Sequence, residues 1–239
     1  MSTNNQRDAG RKAKLEGHLY EKSLIVEGYT LCDGYVPSIL GGKTRSKCDA
    51  ISPEGFRTSI KKKASGWQLQ DSRYLDIIRM AEFHGASEAN EEVRLGLSLY
   101  CGDDTGGIEN SIVSSLSELE IRQGRLLPAS LATYFPSYWA SLQEWLQHNQ
   151  KVLIYSALAY GLCVSEPVQR IKFEEFGVFD IPELVEAFLG SAPEDLSRSM
   201  LPVGRGVVQM QRKSGGKRPY SLLIRLDRCR VKEILCKIH

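Results

Sequence analysis

The sequence predicts an α/β protein, and three observations carry that prediction. Two β-compatible runs form a hairpin over residues 47–63, amphipathic helices recur between residues 71 and 196, and two further β runs lie within residues 204–226. One hairpin alternating with many helices is typical of a sheet packed against helices, with helical elaborations. Because 239 residues are an ordinary length for one elaborated domain, we expect a single domain over residues 1–239.

The composition is that of a globular protein with a core, since 42% of the residues are hydrophobic and 25% are charged. Residues 1–14 are polar and basic and predict no secretory signal peptide, and the longest apolar run, residues 152–164, is too short to cross a bilayer. No cysteine pair has Cys-x-x-Cys spacing, so we expect small core cysteines and neither a zinc site nor a disulfide framework. These features predict a soluble cytoplasmic protein with no membrane partner.

The small net charge of +2 hides a strong asymmetry along the chain. Residues 1–63 hold 12 Lys and Arg against 7 Asp and Glu, residues 64–196 hold 8 against 20, and residues 197–239 hold 11 against 2. Basic ends around an acidic middle predict a polyanion-binding face built from both ends of the chain. Acidic helices that coat the outer surface are compatible with the same pattern.

The first predicted element is a helix from about residue 8 to residue 28. Leu15, Leu19, Lys22 and Val26 recur at helical spacing and predict the face that packs against the protein. Leu24 and Ile25 widen that face. Two glutamates, Glu16 and Glu21, lie on neighbouring faces near that stripe.

The next element is the hairpin, whose turn is predicted at residues 52–55 because Pro and Gly interrupt two β-compatible runs there. Successive strand side chains point to opposite faces, so Ser59 and Lys61 share one face and Ile60 takes the other. Ile60 can then enter a core while Ser59 and Lys61 lie in a cleft with Asp49 of the neighbouring strand.

An acid, a small polar residue and a lysine in one cleft suit divalent-metal cleavage of a phosphodiester. The reaction needs a hard cation held by oxygen ligands, which polarises the phosphoryl oxygen and generates hydroxide from water. Asp49 can supply a carboxylate oxygen, and Ser59 a hydroxyl or the backbone carbonyl beside it. A lysine at this position can orient the water, accept its proton or balance the developing negative charge.

Asp49, nine intervening residues and then Ser59-Ile60-Lys61 resemble the PD-(D/E)XK nuclease motif in the form used by type II restriction endonucleases. Two positions depart from that motif: Cys48 stands where it has Pro, and Ser59 where it usually has Glu or Asp. Lys63 is the alternative catalytic lysine. We prefer Lys61, because the shifted register would place an unpaired Lys62 on the core face.

The resemblance implies a restriction-endonuclease-like core, with a mixed central sheet flanked by helices. It also implies magnesium as the cofactor, no nucleotide cofactor, and double-stranded DNA cut at a short sequence. A palindromic site would favour a homodimer. In the resembled nucleases an early helix carries a glutamate that completes the metal site, a role that the resemblance assigns to Glu21, with Glu16 as the alternative.

DNA contacts are predicted on both sides of the helical middle. The glutamines that follow the strand carrying Lys61 can hydrogen-bond adenine edges or phosphate. The basic loop between predicted strands 206–213 and 220–226 can contact guanine and phosphate. That late basic hairpin also resembles a segment near the end of several type II restriction enzymes. The predicted DNA-contacting residues are Lys63, Gln68, Gln70, Arg212, Lys213, Lys217 and Arg218. A helix over residues 229–238 is predicted to close the chain.

Two other functions fit the same residues. One is a non-catalytic nucleic-acid-binding protein that keeps only the basic faces, and the other is a structure-specific or repair nuclease. Nucleotide binding is disfavoured, because Pro37 occupies the position of the first glycine that a phosphate loop ending in Gly42-Lys43-Thr44 would require.

Overall fold

The computed structural model describes residues 2–32, 48–62, 67–68, 74–103, 108, 110–160, 166–192, 197–212, 220–226 and 228–238. Within these residues the strands are β1 Thr30–Leu31, β2 Ala50–Ile51, β3 Arg57–Lys61, β4 Trp67–Gln68, β5 Arg170–Phe173, β6 Gly177–Asp180, β7 Leu201–Val203, β8 Gly206–Arg212 and β9 Tyr220–Leu226. The helices are α1 Ser2–Ser23, α2 Tyr74–Phe83, α3 Glu91–Cys101, α4 Asn110–Val113, α5 Glu118–Gln123, α6 Pro128–Tyr134, α7 Pro136–His148, α8 Gln150–Tyr155, α9 Ile181–Phe188 and α10 Arg228–Ile238. A π-helical turn, Ser156–Tyr160, extends α8.

The strands form two sheets. The first has the order β1-β2-β3-β5-β6 and is mixed, because β3 runs parallel to β5 while its other neighbouring pairs are antiparallel. The second has the order β4-β9-β8-β7 with antiparallel pairs. The predicted α/β class with a mixed sheet and helices is therefore confirmed.

The predicted hairpin is present as β2 and β3. The Gly55 amide donates to the carbonyl of Ser52 over 2.9 Å, and Gly55 has a φ of 87°, which favours glycine at this turn position. Thr58 and Ile60 point to one face of β3, and Ser59 and Lys61 to the other, as strand alternation requires. Ile60 packs with Leu24 and Ala50 in a small core beneath α1.

The opposite face of β3 meets the main core. Ser59 lies beside Ile171 in the parallel register of β3 and β5, and Lys61 lies beside Phe173. Both hydrophobic partners belong to the large cluster that the helices build. The sheet is thus covered on both faces, and Ser59 is fully buried.

The predicted packing face of the first helix is confirmed only at Leu24, which packs with Tyr20 onto the small core. Leu15 is 48% exposed, Leu19 57%, Ile25 52% and Val26 92%, so the rest of the predicted apolar stripe is wrong. The packed face continues to Glu16, one turn before Tyr20, because the Glu16 carboxylate lies 3.6 Å from Lys62 Nζ. The ion pair with Lys62 thus brings a charged residue, Glu16, onto the packed face of α1. The helix also begins and ends about five residues earlier than predicted.

The helical middle is interrupted by two strands that the sequence did not predict, β5 and β6. Within the predicted helical middle, α4 and α5 are separate helices, because Ser117 caps α5 in a reciprocal box with Glu120. The late strands β8 and β9 and the terminal helix α10 agree with the prediction.

The expectation of no disulfide is wrong for one pair, since Cys32 and Cys48 are bonded across a sequence separation of 16. The pairing of β1 with β2 brings the residues at their ends together, with a Cα–Cα distance of 6.4 Å. Cys101 is free and buried, as expected, whereas Cys236 is free and exposed. None of the helices in the described ranges combines the length and apolar composition that a bilayer crossing requires.

Candidate active site

The backbone of Asp49 is held from both sides. Its amide donates to the Thr58 carbonyl of β3 over 3.0 Å, and its carbonyl accepts from the Cys32 amide over 3.3 Å. Asp49 immediately precedes β2, so the two-residue strand and these bonds fix where its side chain emerges. The carboxylate is directed onto β3.

On β3 the Asp49 carboxylate meets two donors. Its Oδ2 accepts a hydrogen bond from Ser59 Oγ at 2.9 Å and from the Ile60 amide at 2.7 Å. A carboxylate held by two donors, one of them a backbone amide, has a defined orientation. The sequence pattern did not indicate the Ile60 amide as part of the site.

Lys61 turns back onto the same group. Its Nζ donates to Ser59 Oγ at 2.8 Å and to the Ile60 carbonyl at 3.2 Å, and lies 3.7 Å from Asp49 Oδ2. The Lys61 side chain is 30% exposed and that of Asp49 18% exposed. The acid and the amine therefore meet on the central strand, both partly exposed, next to a fully buried Ser59.

Ser59 connects the two charged groups. Its hydroxyl donates to Asp49 and accepts from Lys61, and the residue is fully buried. With both partners engaged, the hydroxyl keeps acid and amine at a fixed separation. Ser59 thus takes a supporting position behind the charged groups.

The two candidate glutamates of α1 are placed differently. Glu16 pairs with Lys62, which follows the Ile60 side of β3, so Glu16 contacts the face of the sheet opposite Ser59 and Lys61. Glu21 is half-buried near the end of α1, and its role as a second carboxylate remains a prediction. Among the described residues, no three His, Cys, Asp or Glu side chains form a cluster suited to a metal ion.

The predicted DNA-contacting residues are only partly described. Gln68 lies in β4 and Arg212 ends β8, and the structure describes the backbone of both. The other predicted contacts lie outside the described residues: Lys63, Gln70, Lys213, Lys217 and Arg218.

One feature of the site was missed from the sequence. Cys48, which stands where the nuclease motif has Pro, is bonded to Cys32 directly beside Asp49. The spacing of the cysteines carries no signal for this bond, because the pairing depends on β1 lying against β2.

No model of a known protein family matches the chain. No curated protein and no solved structure matches it either.

Proposed function

We propose that this chain is a type II restriction endonuclease of the PD-(D/E)XK superfamily, which hydrolyses phosphodiester bonds of double-stranded DNA at a short specific sequence with magnesium. The observation that carries the proposal is the meeting of Asp49, Ser59 and Lys61 at the central strand β3. An acid and an amine from adjacent strands, both partly exposed, are the groups that this chemistry requires.

The fold supports the proposal. The mixed sheet carries α1 on one face and the helical core on the other, which agrees with a restriction-endonuclease-like core. The early helix α1 packs on the Ile60 face of this sheet, opposite Ser59 and Lys61, so its position does not support either of its glutamates as a metal ligand.

The protein groups fit magnesium, which retains several waters and takes one or two carboxylates together with substrate phosphates. Asp49 would hold the ion with a carboxylate whose orientation Ser59 and the Ile60 amide fix, whereas Glu21, the second carboxylate that the resemblance assigns, belongs to the helix on the opposite face of the sheet. Bound magnesium would polarise the phosphoryl oxygen and lower the pKa of a coordinated water.

Lys61 would orient the attacking water or accept its proton, and balance negative charge at the phosphate. Its hydrogen bonds to Ser59 and to the Ile60 carbonyl hold the ammonium at the site, so less side-chain freedom is lost when substrate binds. Ser59 would position both groups without touching the phosphate.

The proposal that DNA is the substrate rests on the charge of the chain. The basic terminal segments would contact the DNA backbone, with the late hairpin reading bases. A homodimer acting on a palindrome in the cytoplasm, without a nucleotide cofactor, completes the proposal.

The test is incubation of the protein with phage DNA and Mg²⁺, followed by sequencing of the fragment ends, with EDTA as the control. Ends that share one short sequence support the proposal. Cuts confined to junctions or free ends would indicate a structure-specific nuclease. DNA binding without cleavage under any divalent ion would indicate a non-catalytic binding protein.

A further inference from the structure

The Cys32–Cys48 disulfide lies at the part of the sheet that holds Asp49. Cys32 directly follows β1, and Cys48 directly precedes Asp49. The two Cα atoms are 6.4 Å apart, within the range that a disulfide spans without backbone movement.

Among the described residues, the ladder between β1 and β2 is short. Strands β1 and β2 are two residues long, and their register pairs only Thr30 with Ile51 and Leu31 with Ala50. The bond from the Cys32 amide to the Asp49 carbonyl, at 3.3 Å, extends this short ladder by one step. On the β3 side Asp49 is held by the Thr58 carbonyl, Ser59 Oγ and the Ile60 amide, so the Cys32–Cys48 link constrains Asp49 from the β1 side, where the described residues add only the Cys32 backbone bond.

We propose that the Cys32–Cys48 pair is a redox-dependent positioning element, which holds Asp49 in place when the disulfide is formed and releases it when the disulfide is reduced. The effect on cleavage rests on the proposed function, whereas the effect on the position of Asp49 does not.

The chemistry is thiol–disulfide exchange with a dithiol reductant. One thiolate of the reductant attacks a sulfur of the pair, and its second thiolate resolves the mixed disulfide. The S–S bond accepts two electrons and two protons to give two thiols, and the reductant becomes a disulfide. Cys32 is half-buried whereas Cys48 is 1% exposed, so the attack is expected at the Cys32 sulfur.

Hydrogen exchange tests the positioning directly. The Ile60 amide donates to Asp49 Oδ2, and the Cys32 amide donates to the Asp49 carbonyl, so both report where Asp49 lies. We expect dithiothreitol, or the Cys32→Ser variant, to speed exchange of these amides by about tenfold. The β5–β6 hairpin is the internal reference, and Cys236→Ser, which removes an exposed free thiol, is the matched variant that leaves exchange unchanged.

Equal exchange in the oxidised and reduced protein would overturn the inference. So would alkylation of both Cys32 and Cys48 in protein that has never met a reductant, measured by mass spectrometry. Because reduction needs no substitution, this result stands even where the serine variant fails to fold.

Cleavage separates this inference from the proposed function. The oxidised form should cut DNA about tenfold faster at saturating substrate and need less Mg²⁺, with unchanged DNA affinity. Faster exchange on reduction, with no cleavage by either form, would refute the nuclease but keep the positioning role. Equal cleavage by both forms would refute the redox inference and keep the nuclease.

Discussion

Replacement of Lys61 by Ala should abolish most of the DNA cleavage and leave DNA binding intact. The Lys61 ammonium lies 3.7 Å from Asp49 Oδ2, a separation at which unit charges attract by about 4.5 kcal/mol for an effective dielectric constant of about 20. The side chain is 30% exposed, so solvent reduces the net contribution of the pair to folding to about 1 kcal/mol. A cation fixed against the charge that develops during reaction contributes more, and its loss should slow cleavage by about 10²–10³-fold.

Lys62→Ala is the matched control. Lys62 is the next residue and carries the same charge, but it pairs with Glu16 on the other side of the sheet. Single-turnover cleavage of a plasmid in Mg²⁺, with DNA affinity measured in Ca²⁺, compares the two variants. Cleavage by Lys61→Ala within about threefold of the parent, or an equal loss in Lys62→Ala, would refute the assignment of Lys61.

Three further predictions concern buried polar groups. Ser59→Ala removes the hydroxyl between Asp49 and Lys61, and should lower the free energy of unfolding in urea by about 1–3 kcal/mol. It should also slow DNA cleavage at least about tenfold. Unchanged stability and an unchanged cleavage rate would contradict the bridging role of Ser59. Burial of Glu120 opposes its ionisation, yet hydrogen bonds from Ser130, from the Leu127 amide and from Ser117 outweigh burial and hold the pKa of that carboxyl below its ordinary value of 4.5. The contribution of the Glu120 carboxylate to the free energy of unfolding should be complete above pH 4.5 and should be lost as the pH drops through the lowered pKa. In urea titrations at acid pH, the free energy of unfolding of Glu120→Gln should therefore fall less than that of the parent. Burial raises the pKa of Tyr100 to about 12 from its ordinary 10.0, so stability should decline as the pH rises from 10.0 towards 12, and equal alkaline profiles for Tyr100→Phe and the parent would contradict this.

The hairpin and the grouping of its polar residues were predictable because their signals are local. The turn needs a glycine at a positive φ, which Gly55 supplies, and strand alternation alone assigns Ser59 and Lys61 to one face. The nearness of Asp49 then follows from antiparallel pairing across a short turn. The order of the late strands and of α10 was readable for the same reason, since each is a run bounded by turn residues.

The errors lie where distant partners decide the structure. Glu16 and Lys62 are far apart in sequence, and their ion pair allows the Glu16 face of α1 to pack in place of the Leu15 face. The same contact places Lys62 on the Ile60 side of the sheet, where pairing with Glu16 offsets the cost that an unpaired charge would carry there.

Strands β5 and β6 were missed because each has four residues within a long helical region, and β5 is stabilised by pairing with β3. The Cys32–Cys48 bond also depends on strand pairing, so the spacing of the cysteines gave no indication of it.

A crystal structure of the protein with duplex DNA and Ca²⁺, a hard cation that also takes oxygen ligands, tests the central claim most directly. We predict a cation at about 2.3–2.6 Å from an Asp49 carboxylate oxygen, with a backbone phosphate within hydrogen-bonding reach of Lys61 Nζ. DNA bound on another surface, or a cation held without Asp49, would contradict the account.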